Sequence, residues 1–211
     1  MGDKEQNFIP STSRIEAFSD GVIAIIMTLM VFDLKLPPLA DTADSWDILK
    51  LLPIVFPKFV SFAMSFLVLA IFWVNHHHFF HSIKSTDRKL LWYNNHLLFW
   101  LSLVPFPTAL IGNYPTDTLP VMLYGFILMM SSIAFNLMRR SAQTSCLFHQ
   151  FVDKKYIKQL ARKGLWGPLL YGLSVIVAPI SIYCSLVIFI VVPIVYFLPN
   201  LIPFGDEISN S

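Results

Sequence analysis

Apolar runs about as long as a bilayer crossing recur along this chain, broken by proline pairs, short polar turns and clusters of charge. A hydrocarbon core about 30 Å thick takes about 20 helical residues to span, and within it the backbone must satisfy its own polar groups. The runs therefore predict an all-α, polytopic membrane protein, a single six-helix domain over residues 1–211. Its transmembrane helices are expected at about 14–36, 50–80, 89–112, 118–138, 162–179 and 181–199. Pro37-Pro38 closes the first, and Asn113-Tyr114-Pro115 parts the third from the fourth. From Leu165 to Leu198 no charged residue occurs, too long a stretch for one crossing, and Pro179-Ile180-Ser181 divides it.

Composition supports this class: 55% of the 211 residues are hydrophobic and 13% charged, unlike a soluble domain. With a net charge of +2 and no basic run interleaved with aromatics, nucleic acid is not an expected partner. Cys146 and Cys184 lack metal-type spacing, and Cys146 falls in a basic connection, so no structural disulfide is expected. Arg14 before an apolar run mimics a signal peptide, but Asp20 breaks the run and no small-residue cleavage site precedes Asp33 and Lys35, which predicts a retained helix.

Lys84, Arg88 and Lys89 follow the second span, and Arg139, Arg140, Lys154, Lys155, Lys158, Arg162 and Lys163 follow the fourth. The excess of Lys and Arg marks both loops as cytoplasmic. The first loop, with Asp33, Asp41, Asp44 and Asp47 against Lys35 and Lys50, and the third, with Asp117, belong outside. Six spans then place both termini in the cytoplasm. No internal repeat is visible, so any pore symmetry must come from oligomerisation.

The first span carries Arg14, Glu16, Ser19 and Asp20, and ionisable groups at membrane depth need partners or a watery path. At 100° per residue, Arg14, Phe18, Gly21, Ile25, Thr28, Leu29 and Phe32 form one stripe, while Glu16, Ser19 and Asp20 point elsewhere. Two readings of the stripe stay open on spacing alone: a packing seam, or a pore lining that gates by dewetting. No Thr-Val-Gly-Tyr-Gly potassium filter is present.

Trp73-Val74-Asn75-His76-His77-His78-Phe79-Phe80-His81 ends the second span. Adjacent histidines diverge by about 100° on a helix, so His76, His77 and His78 cannot share one ion; His77 and His81 could, but no clear third ligand accompanies them. No resident metal or cofactor is expected. The favoured reading is a polar network with Arg14, Ser19 and Asp20 near the cytoplasmic end, pH-sensitive if histidine titrates. Asn94, Asn95 and His96 lie at the same end of the third span; Asn94 is the candidate buried partner, and Asn95 and His96 suit the headgroup interface equally well.

Together these residues resemble the lysosomal potassium channel family, whose first helix carries an Arg-x-x-x-Phe-Ser-Asp signature. Here it is Arg14-Ile15-Glu16-Ala17-Phe18-Ser19-Asp20, followed by Ala24. Trp73-Val74-Asn75-His76-His77 with Phe80 resembles the second-helix motif, and Asn94 with Pro105-Phe106-Pro107-Thr108 the third. The likeness runs to about Tyr114, and beyond it only the span pattern agrees.

The resemblance implies a prokaryotic, multi-pass cell-membrane channel and not an enzyme. Animal members carry two repeats and dimerise, so a single repeat implies a homotetramer with four first helices around the pore. Ile25 maps onto the apolar constriction, Leu29 and Phe32 follow outward, and Thr28 maps onto a hydroxyl linked to selectivity. Phe18, Ser19 and Asp20 map onto an inter-helix network partnered by Arg14, Trp73, His77 and Asn94. Phe32 departs from the smaller aliphatic residue often found there. The expected function is passive, potassium-favouring conduction, with proton permeation as a secondary property. Competing readings are a proton-coupled transporter using Asp20, His77 and Arg14, and an intramembrane metalloenzyme using the histidines.

Overall fold

A computed structural model describes residues 11–35, 44–149, 162 and 164–197, with side chains left aside at 45, 47, 48 and 193–197. Asp41, Lys154, Lys155, Lys158 and Lys163, used above for orientation, lie outside the described residues, as does the Pro37-Pro38 stop. The described chain is helical. Its helices are α1 (Thr12–Leu29), α2 (Ser45–Lys50), α3 (Leu52–His81), α4 (Arg88–Ser102), α5 (Pro105–Asn113), α6 (Thr118–Thr144), α7 (Trp166–Val177) and α8 (Ile182–Phe197).

Capping explains several starts. The Asp87 carboxylate accepts the Leu90 N–H at 2.6 Å to open α4, and that of Asp117 accepts the Leu119 N–H at 3.1 Å to open α6. α1 tightens into a 3-10 turn over Met30–Asp33, where the expectation was helix to residue 36. The short α2 was not foreseen, and α6 continues to Thr144, past the expected end at residue 138.

The third crossing differs most from expectation, being two helices joined at Leu103-Val104. Pro105 and Pro107 have no N–H to offer Leu101 and Leu103. Those carbonyls are met instead by Val104 N–H at 3.1 Å and Phe106 N–H at 3.2 Å, one residue tighter than in an α-helix.

Four stretches among the described residues are long and apolar enough to cross a membrane: Thr12–Asp33, Leu52–His81, Arg88–Asn113 and Thr118–Thr144. α7 and α8 are shorter, at 12 and 16 residues. They meet at the predicted division, where Ile180 N–H and Ser181 N–H both reach Val177 O at 2.9 Å and Ser185 Oγ–H donates to Ser174 O at 2.8 Å.

α6 is the pillar of the bundle, flanked by α4 and α7; α1 packs on α3 and α4, and α5 packs on α3. Lipid tails are as apolar as leucine, so close packing and polar contacts must hold helices together. A Cβ on Gly112 would sit 2.9 Å from Lys58 Cα, which shows how tightly α5 lies on α3. At mid-bundle, Ser65 Oγ pairs with Thr108 Oγ1 at 2.8 Å and with Tyr124 Oη at 3.0 Å, binding α3, α5 and α6. At one end, Ile83 bridges Phe148, and Lys84 N–H donates to Leu147 O at 2.9 Å. The two loops expected on the cytoplasmic side thus meet.

Candidate functional site

α1 divides sharply by face. Ile15, Ser19, Ile23, Ile26 and Met30 are buried against the bundle, whereas Arg14, Phe18, Gly21, Ile25, Thr28, Leu29 and Phe32 are exposed on the subunit. Ile25 is 58% exposed although Ile23 and Ile26 are 0% and 5% exposed, so orientation and not hydrophobicity sorts these isoleucines. Nothing in the subunit lies within 4 Å of a Cβ built on Gly21. All four residues read as constriction or selectivity positions (Ile25, Thr28, Leu29 and Phe32) lie on this open face.

Thr28 Oγ1–H is directed at the helix's own carbonyls, Ala24 O at 2.9 Å and Ile25 O at 3.0 Å. Since the hydroxyl has one proton, its remaining lone-pair capacity makes an acceptor on this face. That suits a cation and not an anion.

The buried face is fastened by polar contacts. Ser19 Oγ–H donates to Ile15 O at 2.8 Å, so its oxygen accepts Asn94 Nδ2–H at 2.9 Å. Asn94 Oδ1 lies 2.8 Å from His76 Nε2. An amide oxygen only accepts, so this contact assigns the proton to Nε2 of His76. Ser19, His76 and Asn94 are all fully buried, and they join α1, α3 and α4. His76 Nδ1 has no hydrogen-bond partner among the described residues, and the His76 ring packs 4.5 Å from that of Phe80.

A second fastening lies nearer the surface. Trp73 Nε1–H donates to Asp20 Oδ1 at 2.9 Å, and His77 Nδ1 meets Glu16 Oε1 at 2.9 Å. Trp73 and His77 also stack, with centroids 6.0 Å apart and planes 25° from parallel.

The structure thus brings together Ser19, Asp20, Trp73, His77 and Asn94, but as two separate sets. His77 sits with Glu16 and not with Asn94; His76 takes the Asn94 position. Phe18, expected in the network, instead shares the exposed face with Ile25. Arg14 is exposed, and its guanidinium makes no hydrogen bond or ion pair among the described residues. Two contributors were missed as site residues: His76 and Glu16. The signal for His76 was its position three residues past Trp73, which turns it about 60° away on the helix. Among the described residues no three His, Cys, Asp or Glu side chains converge as a metal site.

The family profile described as endosomal/lysosomal potassium channel TMEM175 matches residues 14–105, the segment that holds every residue of both fastenings. A potassium channel of Chryseobacterium sp. is 46% identical over 125 residues, which is 59% of this chain and 62% of that protein, less than two thirds of its length. A potassium channel of Chamaesiphon minutus is 33% identical over 178 residues, 82% of this chain and 87% of that one. The crystal structure of a lysosomal potassium-selective channel TMEM175 homolog from Chamaesiphon minutus superposes with a TM-score of 0.78 at 31% identity, covering 89% of this chain and 97% of that chain. With the helix order and motif-bearing segment both matched, the chain belongs to the TMEM175 family, a family of ion channels and not of enzymes.

Proposed function

We propose that this chain is one subunit of a potassium-favouring cation channel, a homotetramer whose central pore is lined by four copies of α1. The observation that carries this reading is the open face of α1: a column from Arg14 to Phe32 left exposed by the subunit, on a helix whose other side is buried and bonded. Cyclic symmetry turns one such face into a closed ring. At Ile25 the ring is apolar, so ions must shed or rearrange water there and helix movement gates by wetting. Thr28, one turn outward, offers oxygen acceptors where ions leave the constriction. Loop charges favour a plasma membrane orientation with both termini cytoplasmic.

The test pairs two measurements. A mass determination of the detergent-solubilised protein is expected to give a tetramer, and vesicles containing it are expected to pass potassium down its gradient without coupled proton movement. Strict one-for-one coupling with protons, abolished by Asp20→Asn, would instead establish a transporter. A monomer would remove the pore altogether.

A further inference from the structure

Opposite its buried side, α4 presents an exposed stripe that includes Trp92, Asn95, Phe99 and Ser102. Asn95 is the anomaly among them. It lies about 10 Å along α4 from Arg88 at 1.5 Å per residue, level with the fully buried Ser19, Asn94 and His76, and its amide has no hydrogen-bond partner among the described residues. At that depth an amide turned to lipid gives up water and gains nothing, whereas one turned to another helix can bond across the contact. The Ser102 hydroxyl needs no such partner, since it donates to Phe99 O at 2.7 Å.

Helical angle gives the direction. Asn95 is turned about 100° from Asn94, which bonds to α1, while Trp100, which packs on Phe126 of α6, is turned about 120° the other way. Asn95 and Ser102 therefore lie on the α1 side of the stripe, with Phe99 and Trp92 farther round. On α1, Ser19 meets α4 and Asp20, about 100° on, meets α3, with the open face turned away from both. Around a ring the order is thus α3, α1, α4, and closure sets the α4 flank of each subunit against the α3 flank of the next.

That α3 flank carries the matching group. The His77 side chain is 49% exposed, and its Nδ1 is held by the Glu16 carboxylate at 2.9 Å. A carboxylate accepts, so the neutral imidazole keeps its proton on Nδ1 and offers a lone pair at Nε2, which no described residue meets. Height agrees as well. Asn94 touches His76 within the subunit and the two helices run in opposite directions, so Asn95 and His77 differ in height by about 3 Å. Rotation about an axis along the membrane normal preserves that match. Two turns farther outward the same register sets Ser102 opposite Ala70, small side chains that let helices approach closely.

We propose that the α4 face bearing Asn95 and Ser102 docks on the α3 flank of a second copy of this chain, with Asn95 Nδ2–H donating to Nε2 of the partner subunit's His77. The contact rests on the tetramer proposed above, and it completes the Glu16–His77 fastening of α1 with a group from the next subunit.

The test uses membranes containing the full chain with Cys146→Ser and Cys184→Ser. Ala70→Cys together with Ser102→Cys, oxidised with copper phenanthroline, is expected to give a ladder of covalent dimer, trimer and tetramer on denaturing gels, and either cysteine alone only monomer. For the bond itself, Asn95→Ala is expected to quicken subunit exchange between purified tetramers about threefold or more, and to add nothing further when His77→Ala is already present. The cysteine pair decides the docking if His77→Ala does not fold. A tetrameric mass without the ladder would overturn the docking and leave conduction standing, and a covalent dimer from either cysteine alone would overturn it by showing that like flanks meet. Equal quickening by Asn95→Ala with and without His77 would overturn the bond. A monomeric mass would remove the ring and this contact with it.

Discussion

Trp73 on α3 donates its indole N–H to Asp20 on α1, while the neighbouring Ser19 is held by Asn94 on α4. Two consecutive residues thus tie one helix to two others. Removing the Asp20 carboxylate should cost about 1 kcal/mol of subunit stability, the scale of a hydrogen bond between membrane helices. Asp20→Ala is expected to lower tetramer yield or alter gating, read by size-exclusion chromatography and vesicle flux. An intact tetramer with only its ion preference changed would contradict this role.

Asn94 is more consequential, because it serves both Ser19 and His76 inside the bundle. Asn94→Leu strands the buried Nε2–H of His76, at about 1–3 kcal/mol, and leaves the Ser19 hydroxyl with only its bond to Ile15 O. Its unfolding temperature should fall clearly below that of Asn95→Leu, whose wild-type side chain is exposed. Equal shifts would show that the buried contact contributes nothing.

Ile25 and Ile26 make a paired test of the two faces. Ile25→Asn is expected to raise potassium flux severalfold with a smaller loss of Tm than Ile26→Asn, since Ile25 is 58% exposed on the subunit and Ile26 only 5%. Ile26→Asn places an amide in the buried face and should destabilise by about 1–3 kcal/mol. If Ile26→Asn raised flux and Ile25→Asn only destabilised, the faces would be reversed.

Thr28→Val keeps the shape and removes the oxygen acceptor. The expected result is a lower potassium-to-sodium permeability ratio at unchanged expression, measured as reversal potentials in bilayers. An unchanged ratio would mean that Thr28 serves only its own helix backbone.

Gly112→Ala tests the fold independently of conduction. The added methyl would press on the Lys58 backbone and should cost about 1–3 kcal/mol by overpacking.

Much of the architecture was legible because lipid imposes a simple rule on the sequence: apolar runs cross, and punctuation turns. The division near Pro179 follows from proline chemistry, and helical angle groups Ile25 with Thr28 and Phe32, but only the exposure of Ile25 on the subunit shows that this stripe is not a packing seam within it. The break at Leu103-Val104 is invisible to hydropathy, which runs unbroken through it, and Pro105 and Pro107 alone do not fix where the helix divides. The network was legible in membership but not in pairing. His76, His77 and His78 have the same chemistry, and only packing against α4 shows that His76 meets Asn94 while His77 takes Glu16. Phe18 was drawn into the network by its motif neighbours, although its helical angle already placed it with Ile25.

The joint in the third crossing has a mechanical meaning for α1. Its helical body packs on α4, whereas the Met30–Asp33 turn at its far end packs on α5. The two ends of the bare column share α3 as a common support and differ in their second neighbour, α4 at the inner end and α5 at the outer. A change of angle at Leu103-Val104 would therefore bear on the outer end of the column alone, against the hold that α3 keeps on both ends.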